Sequence, residues 1–248
     1  MHMNTKGLVL RARDTAENDR ALTILTPESG VVSAFANGSK RLKSNQLAAA
    51  QALCYGEFSL YRRRDTYSVD DARAISVFFG LREDITALAL AQYFCELAAA
   101  LAPAETESAE ILNLMVFALT CLEKKRRPQD LLKPAVELRI LSLAGYAPDL
   151  MSCRVCGGDT IPGDCVRLDM SGGNFVCEKC KGDGEQIGLG VFNAMRHICR
   201  CPLKKLFSFA LPAPSLAALG KVCEDYLRAQ VPRRWDALGF YHELKDEG

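Results

Sequence analysis

Two Cys-x-x-Cys pairs, Cys153-Arg154-Val155-Cys156 and Cys177-Glu178-Lys179-Cys180, stand twenty residues apart. Each pair supplies two thiolates from one tight turn, and two such turns complete the tetrahedral shell that Zn²⁺ prefers. Gly157 and Gly158 follow the first pair, and Gly172 and Gly173 precede the second. Glycine lets the backbone take the positive φ that a turn under a metal requires. Two disulfides are the competing chemistry, one that belongs to oxidising compartments. The N-terminal Met1-His2-Met3-Asn4 lacks the basic-plus-apolar pattern of a secretory leader. Cys165, inside the loop, is either a spare or swapped ligand or a plain buried thiol.

Four thiolates close the coordination shell, whereas catalytic zinc keeps a position open for water. The zinc deaminases combine His-x-Glu with Pro-Cys-x-x-Cys. Here Ser152 precedes Cys153, and no His-x-Glu occurs. The expectation is a structural Zn²⁺ on Cys153, Cys156, Cys177 and Cys180, no catalytic residue, and no enzyme activity. Cys54, Cys95, Cys121 and Cys223 lie among apolar residues and read as reduced core thiols. His197-Ile198-Cys199-Arg200-Cys201 has metal-binding residue types. Val191, Met195, Ile198 and Cys199 nevertheless form one apolar helix face, which points to core.

The elements that must position this loop are read from periodicity. Residues 6–78 alternate as strands: Lys6–Arg13, Arg20–Thr26, Val31–Phe35, Leu53–Tyr61 and Thr66–Phe78. Pro27-Glu28-Ser29-Gly30 is a turn, with proline presetting φ and glycine closing it. Five short strands in so few residues suggest a small barrel, and the oligonucleotide-binding (OB) fold is the commonest five-stranded choice. From Arg82 the period becomes helical, with helices over 82–101, 108–125 and 130–144 before the cysteine loop. Gly145 caps the third, and Pro148 prevents its continuation. Helices over 190–201 and from Ser215, a good N-cap, to Ala229 follow the loop. Trp235 is expected to plug the helical domain. The predicted class is α+β: an N-terminal five-stranded OB-fold barrel (1–80), then a mainly helical domain (81–150 and 187–248) with an inserted four-cysteine zinc-finger loop (151–186).

The 31 basic and 30 acidic residues leave a formal charge of +1, which excludes a protein coated in positive charge but not a local basic groove. Basic groups gather at the joins of the barrel: Lys40, Arg41 and Lys43 between the third and fourth strands, and Arg62, Arg63 and Arg64 in the last hairpin. Tyr55, Tyr61 and Tyr67 lie nearby. A positive groove with aromatic faces is how single strands are held, so both basic groups are candidate DNA-binding residues. Lys124, Lys125, Arg126 and Arg127 end the second helix, either as a solvated terminus or as a partner site. At the end of a helix such cations also suit the helix dipole. Residues 87–103 are interrupted by Gln92 and Glu96 and are too short and polar to span a bilayer. A soluble intracellular protein is expected. No Gly-x-x-x-x-Gly-Lys-Ser/Thr loop occurs, so no nucleotide site is expected.

Taken together, these residues resemble the RecO family of bacterial DNA repair proteins over nearly the whole chain. The N-terminal pieces are Gly7-Leu8-Val9-Leu10, Asp19-Arg20-Ala21-Leu22, Leu25-Thr26-Pro27-Glu28-Ser29-Gly30 and Gly38-Ser39-Lys40-Arg41. The middle piece is Tyr93-Phe94-Cys95-Glu96-Leu97. The most specific run begins at Glu137-Leu138-Arg139 and continues through Gly145-Tyr146-Ala147-Pro148 into both cysteine pairs. Asn18 stands where the family often has the first acid of a glutamate-aspartate pair. The resemblance implies a recombination mediator that binds single- and double-stranded DNA and anneals complementary strands. It also implies a cytoplasmic, nucleoid-associated protein that engages the single-strand-binding protein C-terminal tail, with Lys124, Lys125, Arg126, Arg127, Lys133 and Arg139 as candidate cations, and with RecR helps load RecA onto coated DNA. A zinc-containing adaptor that joins proteins without touching DNA is the alternative.

Overall fold

The computed structural model describes residues 2–41, 44, 46–64, 66–159 and 163–246. By compactness the chain divides into two units, Met1–Arg126 with Trp235–Gly248, and Arg127–Arg234. The first two helices and the C-terminal helix cluster with the barrel.

The first unit begins with β1 (His2–Asp14), β2 (Arg20–Thr26), β3 (Gly30–Ala36), β4 (Tyr55–Arg63) and β5 (Thr66–Ser76). They form a closed barrel in the order β1-β2-β3-β5-β4. Only β3 and β5 run parallel. The long β1 serves two neighbours: Leu8 lies opposite Tyr55 of β4 and also opposite Leu25 of β2. Period-2 alternation sends Val9, Leu22, Ile24, Val32, Ala34, Phe58, Leu60 and Val69 into one apolar core. This is the expected five-stranded OB barrel.

Helices α1 (Ile85–Leu101) and α2 (Ala109–Glu123) follow. Asp84 starts α1 by accepting from the Ala87 N–H at 2.9 Å, an N-cap. The segment between them lies along the β2–β3 turn, with Glu105 N–H donating to Ser29 O at 3.0 Å and Ser108 N–H to Pro27 O at 2.8 Å. The chain returns to this unit as α6 (Asp236–Asp246), which periodicity did not predict. Its first N–H groups, on Asp236 and Ala237, donate to the Glu96 carboxylate at 3.3 and 3.1 Å. These two bonds explain a glutamate in a largely apolar helix. Trp235 is buried edge-on to Tyr93, at 6.2 Å between ring centroids.

In the second unit α3 (Gln129–Leu143) is buried on nearly every side. It ends as expected at Gly145, whose φ is +92°. Tyr146 N–H reaches back to Leu141 O at 2.8 Å, a glycine-closed C-cap. A three-stranded sheet in the order β7-β6-β8 follows, with β6 at Cys165–Asp169, β7 at Asn174–Cys177 and β8 at Glu185–Gly188. Next come α4 (Leu189–Arg200) and α5 (Ala213–Gln230). Ser215 does not cap α5: the helix starts two residues earlier, after Pro212, with Pro214 in its first turn. Proline there loses only an N–H that had no partner in the helix. Val191, Met195 and Ile198 are buried as predicted, and the His197 ring nitrogen meets Lys205 O at 2.9 Å. Among the described residues no helix is long and apolar enough to cross a membrane.

Candidate metal centre and candidate nucleic-acid interface

The first cysteine pair sits on a turn that hydrogen bonds to its own ends: Gly157 N–H to Cys153 O at 2.8 Å, and Cys153 N–H to Gly158 O at 2.9 Å. Gly157 takes φ +69° there. Arg154 N–H to Phe175 O, at 3.0 Å, ties this turn to β7. The second pair begins at the last residue of β7, and a short 3-10 turn over Glu178–Cys180 carries it round.

These two supports bring the sulfurs of Cys153, Cys156, Cys177 and Cys180 within 4.8 Å of one another. The Cys156–Cys177 and Cys177–Cys180 separations are 3.9 and 3.5 Å. A tetrahedron with metal–sulfur bonds of about 2.3 Å has sulfur–sulfur edges of about 3.8 Å, whereas a disulfide needs about 2.05 Å. The spacing fits four thiolates around one ion and does not fit two disulfides. Burial by itself would push the Cys153 thiol up. The N–H groups of Cys156, Cys177 and Val155 outweigh that and bring it down to about 6. Cys180, hydrogen bonded to the thiols of Cys177 and Cys156, is pushed up to about 12. The cluster can therefore hold a metal ion. Cys165 is not part of it: its sulfur accepts from Gln186 Nε2 at 3.3 Å. Cys54, Cys95, Cys121 and Cys223 are buried, as expected, and burial raises Cys54 to about 11 and Cys95 to about 12.

On the barrel, register places Arg13 opposite Ala21, Ala21 opposite Phe35, Phe35 opposite Ser68, and Ser68 opposite Tyr61. Leu22, Ala34 and Leu60, one step along the strands, are buried, so this cross-strand row faces outward. Phe35 is 42% exposed and Tyr61 38%. Flanking positions carry Arg11 opposite Thr23, Thr23 opposite Ser33, and Arg63 opposite Thr66. The result is a floor of small side chains, two raised rings and arginines at the margins, with no carboxylate at any of these positions. The Arg63 guanidinium lies 6.0 Å from the centre of the Tyr61 ring.

The nearest acids are occupied. Lys40 Nζ donates to Asp14 at 2.8 Å and Arg20 Nε at 3.1 Å. These two bonds, Lys40's first, hold the Asp14 carboxyl below its ordinary pKa. Asp70 faces His2 at 3.2 Å. Asp19 accepts from Gly38 N–H at 2.7 Å, which docks the basic loop on the β1–β2 turn.

The candidate DNA residues are therefore placed unequally. Arg41, Arg63 and Arg64 are exposed. Lys40 is committed to Asp14, and Arg62 Nη2 donates to Glu105 at 2.7 Å. Lys43 lies outside the described residues. Tyr67 packs against the barrel core and Tyr55 is half-buried, which leaves Tyr61 as the exposed ring of the three. Phe35, Arg11 and Arg13 were not singled out from sequence. One signal for Phe35 was legible: it occupies the outward parity of a strand whose inward positions are Val32, Ala34 and Ala36.

The candidate partner cations also separate. Lys124, Lys125 and Arg126 are exposed where α2 ends. Arg127 Nε donates to Phe207 O at 2.7 Å. Lys133 is buried, 2.8 Å from Glu137 and 2.7 Å from Glu224. Arg139 donates to the carbonyls of Ile198, Cys199 and Cys201 at 3.1, 2.8 and 2.9 Å. There it satisfies the C-terminal end of α4.

Comparison with known proteins places the chain among relatives along its length. The family model described as Recombination protein O N terminal matches residues 1–78, and the one described as Recombination protein O C terminal matches residues 82–237. A protein named DNA repair protein RecO from Acetivibrio thermocellus is 30% identical over 246 residues, which is 98% of this chain and 97% of that protein. Proteins of the same name from Symbiobacterium thermophilum and Clostridium novyi are 29% and 26% identical. They cover 98% and 97% of this chain and 97% and 94% of their own lengths.

Proposed function

The chain belongs to the RecO family of DNA repair proteins, and from that membership we propose that it is a recombination mediator. It binds single- and double-stranded DNA and anneals complementary strands. With RecR it helps load RecA onto strands coated by single-strand-binding protein. It acts as a binding protein and not as an enzyme.

The observation that carries this reading is the arginine-edged outward row between the β1–β2 turn and the β4–β5 hairpin, whose own positions hold no carboxylate. In OB folds these two loops flank the oligonucleotide-binding face. Annealing is opposed by phosphate repulsion. Cations on the barrel neutralise phosphates and release counterions, so affinity should fall by about 0.7 log units per contact for each log unit of salt. Arg41, Arg63 and Arg64 are the exposed cations of the two basic groups. Lys40, Lys43 and Arg62 complete the candidate set, with Lys40 and Arg62 becoming available only on leaving their carboxylates. For the acidic tail of single-strand-binding protein, Lys124 and Lys125 are the better candidates, since Lys133 and Arg139 are engaged inside the second unit.

The metal of the cysteine cluster is taken to be Zn²⁺ in a structural role. Four thiolates leave no open position for water or substrate, and an ion there would pin the first cysteine turn to β7. Its chemistry is limited to holding that fold.

The test is annealing of complementary strands, one of them pre-coated with single-strand-binding protein, with metal content measured on the same sample. Acceleration of annealing and one zinc per chain are expected. An adaptor without DNA contact would give neither annealing nor a mobility shift at low salt, and that result would overturn the reading.

A further inference from the structure

Charge on the barrel accounts for attraction to any nucleic acid, but not for two large exposed rings on its outward row. Solvent-facing positions of a small barrel are ordinarily polar, and here Phe35 and Tyr61 are each more than a third exposed. They stand two strands apart, on β3 and β4, with Ser68 of β5 between them. Strands about 4.8 Å apart put these rings roughly 10 Å from one another. That span equals about three base steps of about 3.4 Å each. Ser68 is too small to fill the space between the rings, and Ala21, Thr23 and Ser33 keep the adjoining floor low. Arg63 over Tyr61 and Arg13 beyond Ala21 supply positive charge at the two ends.

We propose that Phe35 and Tyr61 are base-stacking platforms that bracket a short run of unpaired bases. On this assignment they, and not the basic loops, give the barrel its preference for single strands over duplex. The inference rests on the DNA-binding reading above and deepens it. The occupant is single-stranded nucleic acid because the row suits it: rings for base faces and guanidiniums for phosphates, while Asp70, the acid beside Tyr61, is paired with His2. In a duplex both faces of a base are covered by its neighbours, so the rings have nothing to stack on and only the phosphate contacts remain. Stacking on an aromatic side chain tolerates any base, which suits a protein acting at arbitrary sequence.

The experiment measures binding of a 20-nucleotide oligo-dT strand and of a 20-base-pair duplex, by fluorescence anisotropy over a salt series. Wild-type protein is compared with Phe35→Leu, Tyr61→Leu and the conservative Tyr61→Phe. Each leucine change should weaken single-strand binding about 5- to 150-fold. Duplex affinity should stay within about twofold and the salt slope should not change, because no phosphate contact is removed. Tyr61→Phe should bind the single strand like wild type. Equal losses for both substrates, or no single-strand loss in either leucine variant, would overturn the assignment. Wild-type protein that bound neither substrate would overturn the DNA-binding reading itself, a failure visible before any variant is made.

Discussion

Lys40 and Asp14 face each other at 2.8 Å across the β1–β2 turn, and Arg20 closes on the same carboxylate at 3.1 Å. The basic loop thus spends one of its cations on the barrel's own acid. The Asp14 pKa lies below its ordinary 3.8. The tie is therefore complete at neutral pH and is lost only as pH falls through that depressed value. Asp14→Asn should release Lys40 to solvent. DNA affinity at low salt should rise, and the salt slope should steepen by up to about 0.7 per added phosphate contact. Anisotropy titrations across a salt series check this; an unchanged slope means that Lys40 faces no phosphate.

Lys133 is 7% exposed, between Glu137 at 0% and Glu224 at 13%. Burial pulls its pKa down, and the two carboxylates outweigh burial and hold it above the ordinary lysine value. Removing the cation alone leaves two acids uncompensated in the interior. Lys133→Ala should destabilise the second unit by about 3–5 kcal/mol, read as a drop in urea midpoint. Pairing Lys133→Met with Glu137→Gln should recover part of the loss. A Lys133→Ala protein as stable as wild type would contradict the buried triad.

The four-thiolate cluster should make the second unit metal-dependent. Apparent binding energies of structural zinc sites are about 10–16 kcal/mol, larger than the net stability of most domains. Cys153→Ser or Cys177→Ser should lose the ion, seen as a fall from one metal per chain by mass spectrometry, and should lower the melting temperature. Oligo-dT binding should persist, since Phe35, Tyr61 and the flanking arginines all belong to the first unit. Retention of a full equivalent of metal by both variants would point to a different ligand set.

Gly30 takes φ +59° where the β2–β3 turn meets the segment after α1, and a Cβ there would overlap the Pro103 carbonyl oxygen. Left-handed backbone strains any other residue, and a backbone oxygen cannot swing aside as a side chain can. Gly30→Ala should cost at least about 1–3 kcal/mol. Chemical denaturation checks it, and the loss should exceed that of Gly220→Ala, where a Cβ would meet nothing within 4 Å.

Much of the chain was legible because its signals are local. Strand parity gave the barrel strands, glycine and proline gave the turns and the end of α3, and Cys-x-x-Cys spacing gave the cluster that could hold a metal, since both halves of each pair come from one turn. The basic runs were visible too, but their roles were not. Lys133 and Glu137 look like a solvated pair one helical turn apart; that Glu224, ninety-one residues on, completes a buried triad has no local sign. Glu96 looked like a polar interruption until α6, 140 residues later in the chain, was found to start on it.

What the sequence determined by itself was the barrel strands, most of the helices and the four-cysteine cluster that could hold a metal, because backbone propensity, alternation and turn chemistry act within a few residues. Tertiary structure alone decided which cations remain exposed and which are already paired. It also decided that Phe35 of β3, Ser68 of β5 and Tyr61 of β4 share one outward row. Both follow from strand register and helix packing, which bring together residues far apart in the chain, and the energies that fix them belong to pairs of elements and not to any one stretch.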